Sequence, residues 1–315
     1  MGTDEVVNAV RSSRGVNKVV ALEQLGELVP SGSLIGLGGA WLSNHPMAAM
    51  RQLLRDGVGD LHLAETMGSM DIDMMVGAGL VSKVTFSMVS LEAFGLPPHF
   101  RRAVQGGAIE ITELSGLALN TAFEAASRNI PFLPMASLGL SEFPARQPEW
   151  YAKIDDPFTG IDLLAIKALV PDVAILHVRR ASPAGDCQYD GPMAIDPEMS
   201  RSAKRVVVTC EEIVSADVIQ ACPQMTKIPG FLVDAVIEAP FGAHPLTHVP
   251  LYGLDAWELR DYAASAADPE AWPTYLNRLR TESEDQYRER VLPPDRRRVI
   301  RNLARAGKTL SGVGQ

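Results

Sequence analysis

The chain has 315 residues, 46% hydrophobic and 21% charged, with a formal net charge of -9. This length and balance suit one large α/β domain, or a core domain with an appendage, and exclude a disordered chain. The negative charge is spread without an acidic tail, which argues against nucleic acid as a partner, because phosphate neutralisation needs a concentrated basic face.

The opening stretch "MGTDEVVNAVRSSRGVNKVV" has no apolar core of signal-peptide length. No run elsewhere approaches the ~20 apolar residues of a membrane span. Three cysteines, Cys187, Cys210 and Cys222, are too few and too irregularly spaced for a disulfide framework or a metal knuckle. The expectation is a soluble, cytoplasmic protein that engages neither membrane nor metal.

In chain order, strands are expected at 33–37, 60–65, 83–90, 108–112, 132–135, 172–177, 205–210 and 231–238. Several, such as "VAIL" and "VVV", are continuous apolar runs, as strands buried on both faces require. Helical patterns fall between them at 46–56, 113–128 and 160–169. Such alternation means crossover connections and an open, largely parallel sheet with helices on both faces. The connection at 141–160 is long and rich in proline and aromatics, a sign of a functional or interface segment. Strand signal stops near Leu254. Residues 1–254 are therefore read as the α/β domain and 255–315 as a helical C-terminal extension. Within the extension, the basic run 296–308 reads as a solvated helix, with an acidic partner surface or coenzyme phosphates as the sharper alternative.

The stretch "LIGLGGAWLSNHP" at 34–46 joins the first strand to a helix. It lacks the Lys-Ser/Thr of a P-loop and the third glycine of a dinucleotide fingerprint. Adjacent glycines let backbone amides approach a ligand, and a helix N-terminus beside them suits an oxyanion or a carboxylate. A plain turn fits the same residues. Ser43 or Asn44 is expected to cap the helix, with His45 beside them, and all three are candidates to touch substrate.

His177, near a strand end, reads as a base or as a packed, hydrogen-bonded histidine. Glu211 and Glu212 invite an acid/base reading. The alternative has Thr209 or Glu211 at a helix start, interacting with its positive end. His244 sits in a Pro-Gly corner that reads as a shaped turn. There is no Gly-x-Ser-x-Gly elbow, no HExxH and no cysteine with an evident base. Carboxylates at strand ends remain: Glu65, Glu92, Glu110 and Glu113, each with a surface or capping reading beside the catalytic one.

Taken in order, "GSLIGLGGAWLSNHPMA", "VGAGLVSKV", "FRRAVQGGAIEITELS", "IPFLPMASL", "DDPFTG", "PDVAILHVRRASPAGD", "KRVVVTCEEIVS" and "IPGFLVDAVIEAPFGAHPLTHVPLYGLD" resemble the α subunits of family I coenzyme A transferases, glutaconate CoA-transferase above all. The resemblance implies that this chain pairs with a β subunit, as a heterodimer or a larger assembly of heterodimers. It implies transfer of CoA between an acyl-CoA and a carboxylic acid through a glutamyl thioester. The nucleophilic glutamate then belongs to the β subunit, in a Glu-Ser/Asn-Gly motif that this sequence lacks. Gly38 and Gly39 would offer amides to the thioester carbonyl. Ser43, Asn44 and His45, with Ser137 and Gly139 of "ASLGL", would complete the substrate site. Coenzyme A enters as substrate, with no separate cofactor. Where relatives carry basic residues before the loop proline, this chain has Asn44 and His45, so the dicarboxylic substrate is not carried over.

Ring-opening hydrolases of steroid breakdown resemble the same set. Their α subunits are implied to bring a catalytic glutamate, for which Glu110 and Glu113 are the positions here. A non-catalytic acyl-CoA-binding subunit is the third reading.

Overall fold

The computed structural model describes residues 16–136 and 141–306. Its strands are β1 (Leu34–Leu37), β2 (Leu61–Gly68), β3 (Val81–Val89), β4 (Glu110–Glu113), β5 (Phe132–Ala136), β6 (Tyr151–Asp155), β7 (Asp162–Lys167), β8 (Val173–Ala181), β9 (Cys187–Gln188), β10 (Val206–Ile213), β11 (Thr226–Ile228) and β12 (Ala235–Glu238). Parallel pairing gives the central order β12-β10-β8-β1-β2-β3-β4. The short antiparallel strands β9 and β11 extend the sheet beside the far end of β8.

The apolar runs are explained by burial on both sides. Ile35, Leu37, Ile175, Val207 and Ile237 face one layer, with Met47, Met50 and Leu53 of the helix Met47–Asp56. Ala174, Leu176, Val206, Val208 and Val236 face the other, with Ala118, Leu119 and Phe123 of the helix Gly116–Ser127. Helices thus cover both faces, as the alternation implied.

Three expectations need correction. The stretch 160–169 is not a helix but contains β7, which pairs antiparallel with both β5 and β6. Its run Leu163 to Ile166 fits either period, and two strand partners outweigh local propensity. Consequently β5 belongs to this separate three-stranded sheet and not to the main one. The connection at 141–160 holds the helical turn Phe143–Arg146 and β6. The stretch 231–238 begins as the 3-10 turn Gly230–Leu232, and only Ala235–Glu238 is strand.

After Leu254 the described chain is helical: Ala256–Ala267, Trp272–Thr281, Glu284–Val291 and Pro294–Ala306. These helices do not stand apart. Leu259, Tyr262, Trp272, Tyr275 and Leu279 enter the same apolar cluster as the Met47–Asp56 helix. Buried Arg51 ion-pairs with Glu284, its Nε donating to Oε2 at 3.0 Å, and its Nη1 donates to the His244 carbonyl at 2.7 Å. In the basic segment, Arg296 pairs with Asp255 at 2.7 Å and Arg301 lies 5.2 Å from the Phe241 ring centre. No helix among the described residues is long and apolar enough to cross a membrane.

Candidate active site at the glycine loop

β1 and β2 are adjacent and parallel, so the segments that follow them open at the same sheet edge. After Leu37 the chain passes through Gly38 and Gly39 into a tight turn. There the Ala40 amide donates to the Ser43 carbonyl at 2.8 Å, and the Ser43 amide returns to Ala40 at 2.9 Å. Trp41, at the turn's tip, is 56% exposed.

The glycine amides are used inside the chain. Gly38 donates to the Ile175 carbonyl of β8 at 3.0 Å, and Gly39 donates to Asp196 Oδ1 at 3.2 Å. The Tyr189 hydroxyl donates to the other Asp196 oxygen at 3.0 Å. Burial pushes the Asp196 carboxyl up from its ordinary value. This corrects the expectation that Gly38 and Gly39 aim donors at a thioester. Among the described residues, no acceptor meets the amides of Trp41 and Leu42, two residues further along. The glycines serve close approach instead. A Cβ on Gly38 would sit 2.6 Å from Leu176 Cδ2, and Gly39 has φ of +117° with His45 atoms at 3.0 Å from a built Cβ.

Neither Ser43 nor Asn44 caps the following helix, which has no side-chain cap at its start. Ser43 Oγ lies 2.5 Å from Thr247 Oγ1. Asn44 is fully buried, its amide donating to the Thr247 carbonyl at 2.9 Å and its Nδ2 to the Pro192 carbonyl at 2.6 Å. The loop is thereby tied to the corner after β12.

His45 is also fully buried. Its Nε2 is 2.6 Å from the Trp41 carbonyl, which can only accept, so this nitrogen carries a proton. Its Nδ1 lies 2.7 Å from Asp71 Oδ2 and 2.9 Å from Glu65 Oε1. Asp71 already takes the amides of Ser69 and Ile72 on Oδ1, each at 2.9 Å, as an ionised carboxylate does. Both ring nitrogens therefore donate, and His45 is assigned as the imidazolium. Burial opposes that charge, but the Asp71 carboxylate outweighs it and holds the His45 pKa well above the usual value. Burial raises Asp71 too, yet the His45 cation and the two amides bring it below the ordinary carboxylate range.

Glu65 is the protonated member. Burial and the neighbouring Asp71 charge push its carboxyl well above the ordinary range. His45 has one Nδ1 proton, and the shorter contact to Asp71 takes it. Glu65 is thus close to His45 without receiving an aligned bond. The three ligand-type atoms lie within 4.8 Å of one another. Two atoms bonded tetrahedrally to zinc at ~2.05 Å would be about 3.3 Å apart. Contacts of 2.7 and 2.9 Å are hydrogen-bond distances, and the set reads as a proton-sharing cluster.

The other candidates fall elsewhere. His177 is buried, with Nδ1 2.9 Å from Thr209 Oγ1 and Nε2 3.0 Å from Glu211 Oε1, which bears out the packed reading. Glu211 lies within β10, not at a helix start, and accepts from His177, the Tyr252 hydroxyl and the amides of Phe241 and Gly242. Burial alone would raise its carboxyl, but these donors hold it below the ordinary range. Glu212 is half exposed. His244 is buried in its turn between the Tyr287 hydroxyl and Asp255, each at 2.9 Å. Glu92 and Glu113 are exposed, and exposed Glu110 pairs with Lys83. β4 is the third strand over from β1, about 14 Å away at ~4.8 Å per strand. Ser137 and Gly139 lie outside the described residues.

Two partners escaped the sequence reading. Asp71 stands in the first turn of the helix Met70–Gly77, which no sequence pattern had marked, and Asp196 opens the helix Asp196–Ser202. Acids in a first helical turn were the available signal for both.

Residues 20–239 match the family model for coenzyme A transferase. The chain belongs to this family. It is 32% identical over 270 residues to the α subunit of glutaconate CoA-transferase from Acidaminococcus fermentans, covering 78% of this chain and 82% of that one. The crystal structure of glutaconate CoA-transferase from the same organism superposes with a TM-score of 0.85 at 29% identity, over 90% of this chain and 95% of the other. The cholesterol ring-cleaving hydrolase IpdA subunit of Mycobacterium tuberculosis is 32% identical over 292 residues, 87% of this chain and 97% of that one. A protein of Archaeoglobus fulgidus is 36% identical over 278 residues, and the match spans 87% of this chain but 62% of that longer relative. The parallel sheet with helices on both faces and the C-terminal helices match the glutaconate CoA-transferase fold.

Proposed function

We propose that this chain is the α half of a heteromeric CoA-transferase whose partner, a β subunit, supplies the nucleophilic glutamate. The observation that carries the reading is the burial of Glu65. It is an acid close beneath the glycine loop, 1% exposed and sealed 2.9 Å from His45 Nδ1, so it cannot reach a thioester as a nucleophile. Glu110 and Glu113 stand on β4, three strands away.

In the proposed reaction, the partner's carboxylate attacks the thioester carbonyl, forming a C–O bond as the C–S bond breaks. This gives a mixed anhydride and CoA thiolate. The thiolate then attacks the glutamyl carbonyl and releases the first acid, and the acceptor acid reverses both steps. No net proton is consumed. The tip of the glycine loop at Trp41, Leu42 and Ser43 faces the acyl end, the donors for the developing oxyanion are the Trp41 and Leu42 amides, and buried Gly38, Gly39, Asn44 and His45 hold that tip in place. Ser137 and Gly139 are proposed as further contacts to the same acyl group. Coenzyme A enters as part of the substrate, without metal or redox cofactor, in the cytoplasm. The His45 charge is neutralised inside the protein, which supports a substrate other than a dicarboxylic acyl group.

Initial-rate kinetics of the co-purified complex test this. Transfer through the partner's glutamate gives parallel double-reciprocal lines for acyl-CoA and acceptor. Intersecting lines, or turnover that needs water and no acceptor, would favour the hydrolase reading. The hydrolase relative, equal in identity to the transferase relative, keeps that reading in view.

A further inference from the structure

Phe158 is 92% exposed, the highest value among the large hydrophobic side chains of the described residues. It does not sit on a loose loop. The turn between β6 and β7 is closed by the Asp156 amide donating to the Ile161 carbonyl at 2.9 Å and the Gly160 amide donating to the Asp156 carbonyl at 2.8 Å. Asp156 also accepts the Phe158 amide at 2.9 Å and the Thr159 hydroxyl at 2.5 Å. Gly160 takes the positive φ, +71°, that closes such a turn.

The hairpin is anchored at its base. Leu164 and Ile166 of β7 and Met135 of β5 are buried with Ala118 and Phe123 of the helix on the main sheet. Ile161, beside Phe158 in the turn, is 61% exposed, and Asp155 and Asp162 flank the pair on the exposed strand ends. A fixed turn therefore holds an apolar knob with an acidic rim away from the protein's own core. Displaying such a knob to water gains nothing for the fold. A rigid aromatic loses little entropy on docking, which is what an interface anchor requires.

We infer that the Phe158 turn is a docking anchor for the partner subunit, which receives it in an apolar pocket with a cationic or polar rim. The inference rests on the heteromeric reading above, in which the chemistry is incomplete until a second chain arrives. The tip is an anchor and not the whole contact, because a stable interface covers about 800 Å² on each side.

The test uses the full chain and the partner subunit that carries the nucleophilic glutamate, with their dissociation constant measured by sedimentation. Phe158→Ser should weaken assembly about 10- to 100-fold, the equivalent of leaving one phenylalanine unburied. Phe158→Leu should retain most of the affinity. Both variants should keep the melting temperature of the unpartnered chain, since the side chain touches little of its own fold. Unchanged affinity for Phe158→Ser would overturn the inference, and a raised KM for acyl-CoA in a normally assembled complex would do so by reassigning the tip to substrate. If the unsubstituted chain forms no complex, the heteromeric reading fails first and takes the anchor with it.

Discussion

His45 Nδ1 lies 2.7 Å from Asp71 Oδ2 in the closed interior beneath the glycine loop. The pair joins the loop to the helix that follows β2, and through His45 Nε2 it fixes the Trp41 carbonyl. Removing one member of a buried ion pair strands the other. Asp71→Asn is expected to cost about 3–5 kcal/mol of stability, read from chemical denaturation. A cost under about 1 kcal/mol would mean that His45 is neutral in the folded protein.

Raised folded-state pKa values at His45 and Glu65 predict a pH dependence of definite sign. The folded chain binds more protons than the unfolded chain between each ordinary value and its raised one, so stability falls as pH rises through those windows. Glu65 begins this loss above about pH 4.3 and His45 above about pH 6.5. Asp71, held low, acts oppositely and loses its contribution as pH falls through the acid range. Glu65→Gln, a permanent analogue of the protonated acid, should therefore leave stability at pH 5 near the parent value. At pH 8 it should be more stable than the parent, because only the parent must hold a proton that its unfolded chain has released, and the gain should grow as pH rises. Equal effects at both pH values would refute the protonated assignment.

The glycine loop gives a backbone prediction. A side chain on Gly39 meets both a positive φ and the His45 backbone nitrogen at 3.0 Å, so Gly39→Val would distort the loop itself and not merely block substrate. Even Gly39→Ala should lower stability by about 1–3 kcal/mol along with turnover. Thermal melts and initial rates on one preparation would separate this from a variant that loses rate alone.

Much of the fold was legible because it rests on short-range pattern. The runs at 172–177 and 205–210 announce strands with two buried faces, and β8 and β10 have them. The stretch 160–169 misled because Leu163 to Ile166 carries no period, and its strand partners lie elsewhere in the chain. The site was legible only as a segment. His45 finds Asp71 26 residues away, and Gly39 finds Asp196 at 157, separations at which no local pattern marks a partner. A polar loop before a helix therefore read as caps and open donors, where the structure turns those groups inward.

Glu284 ties the C-terminal helices to the core through buried Arg51, whose guanidinium also stacks 4.0 Å from the Tyr287 ring centre. Glu284→Ala should destabilise by about 3–5 kcal/mol, because it leaves an uncompensated charge. The double change Arg51→Met with Glu284→Met should cost less than Glu284→Ala alone. Additive losses in a double-mutant cycle would show that the two residues act independently.

The most direct measurement is a trap for the covalent intermediate. The complex of this chain with its partner is incubated with acyl-CoA and no acceptor, treated with borohydride or hydroxylamine, and both chains are mapped by mass spectrometry. A modified glutamate on the partner, with Glu65, Glu110 and Glu113 unmodified, is the predicted result. An unmodified partner, together with water-dependent opening of a cyclic acyl-CoA that Glu113→Gln abolishes, would contradict it.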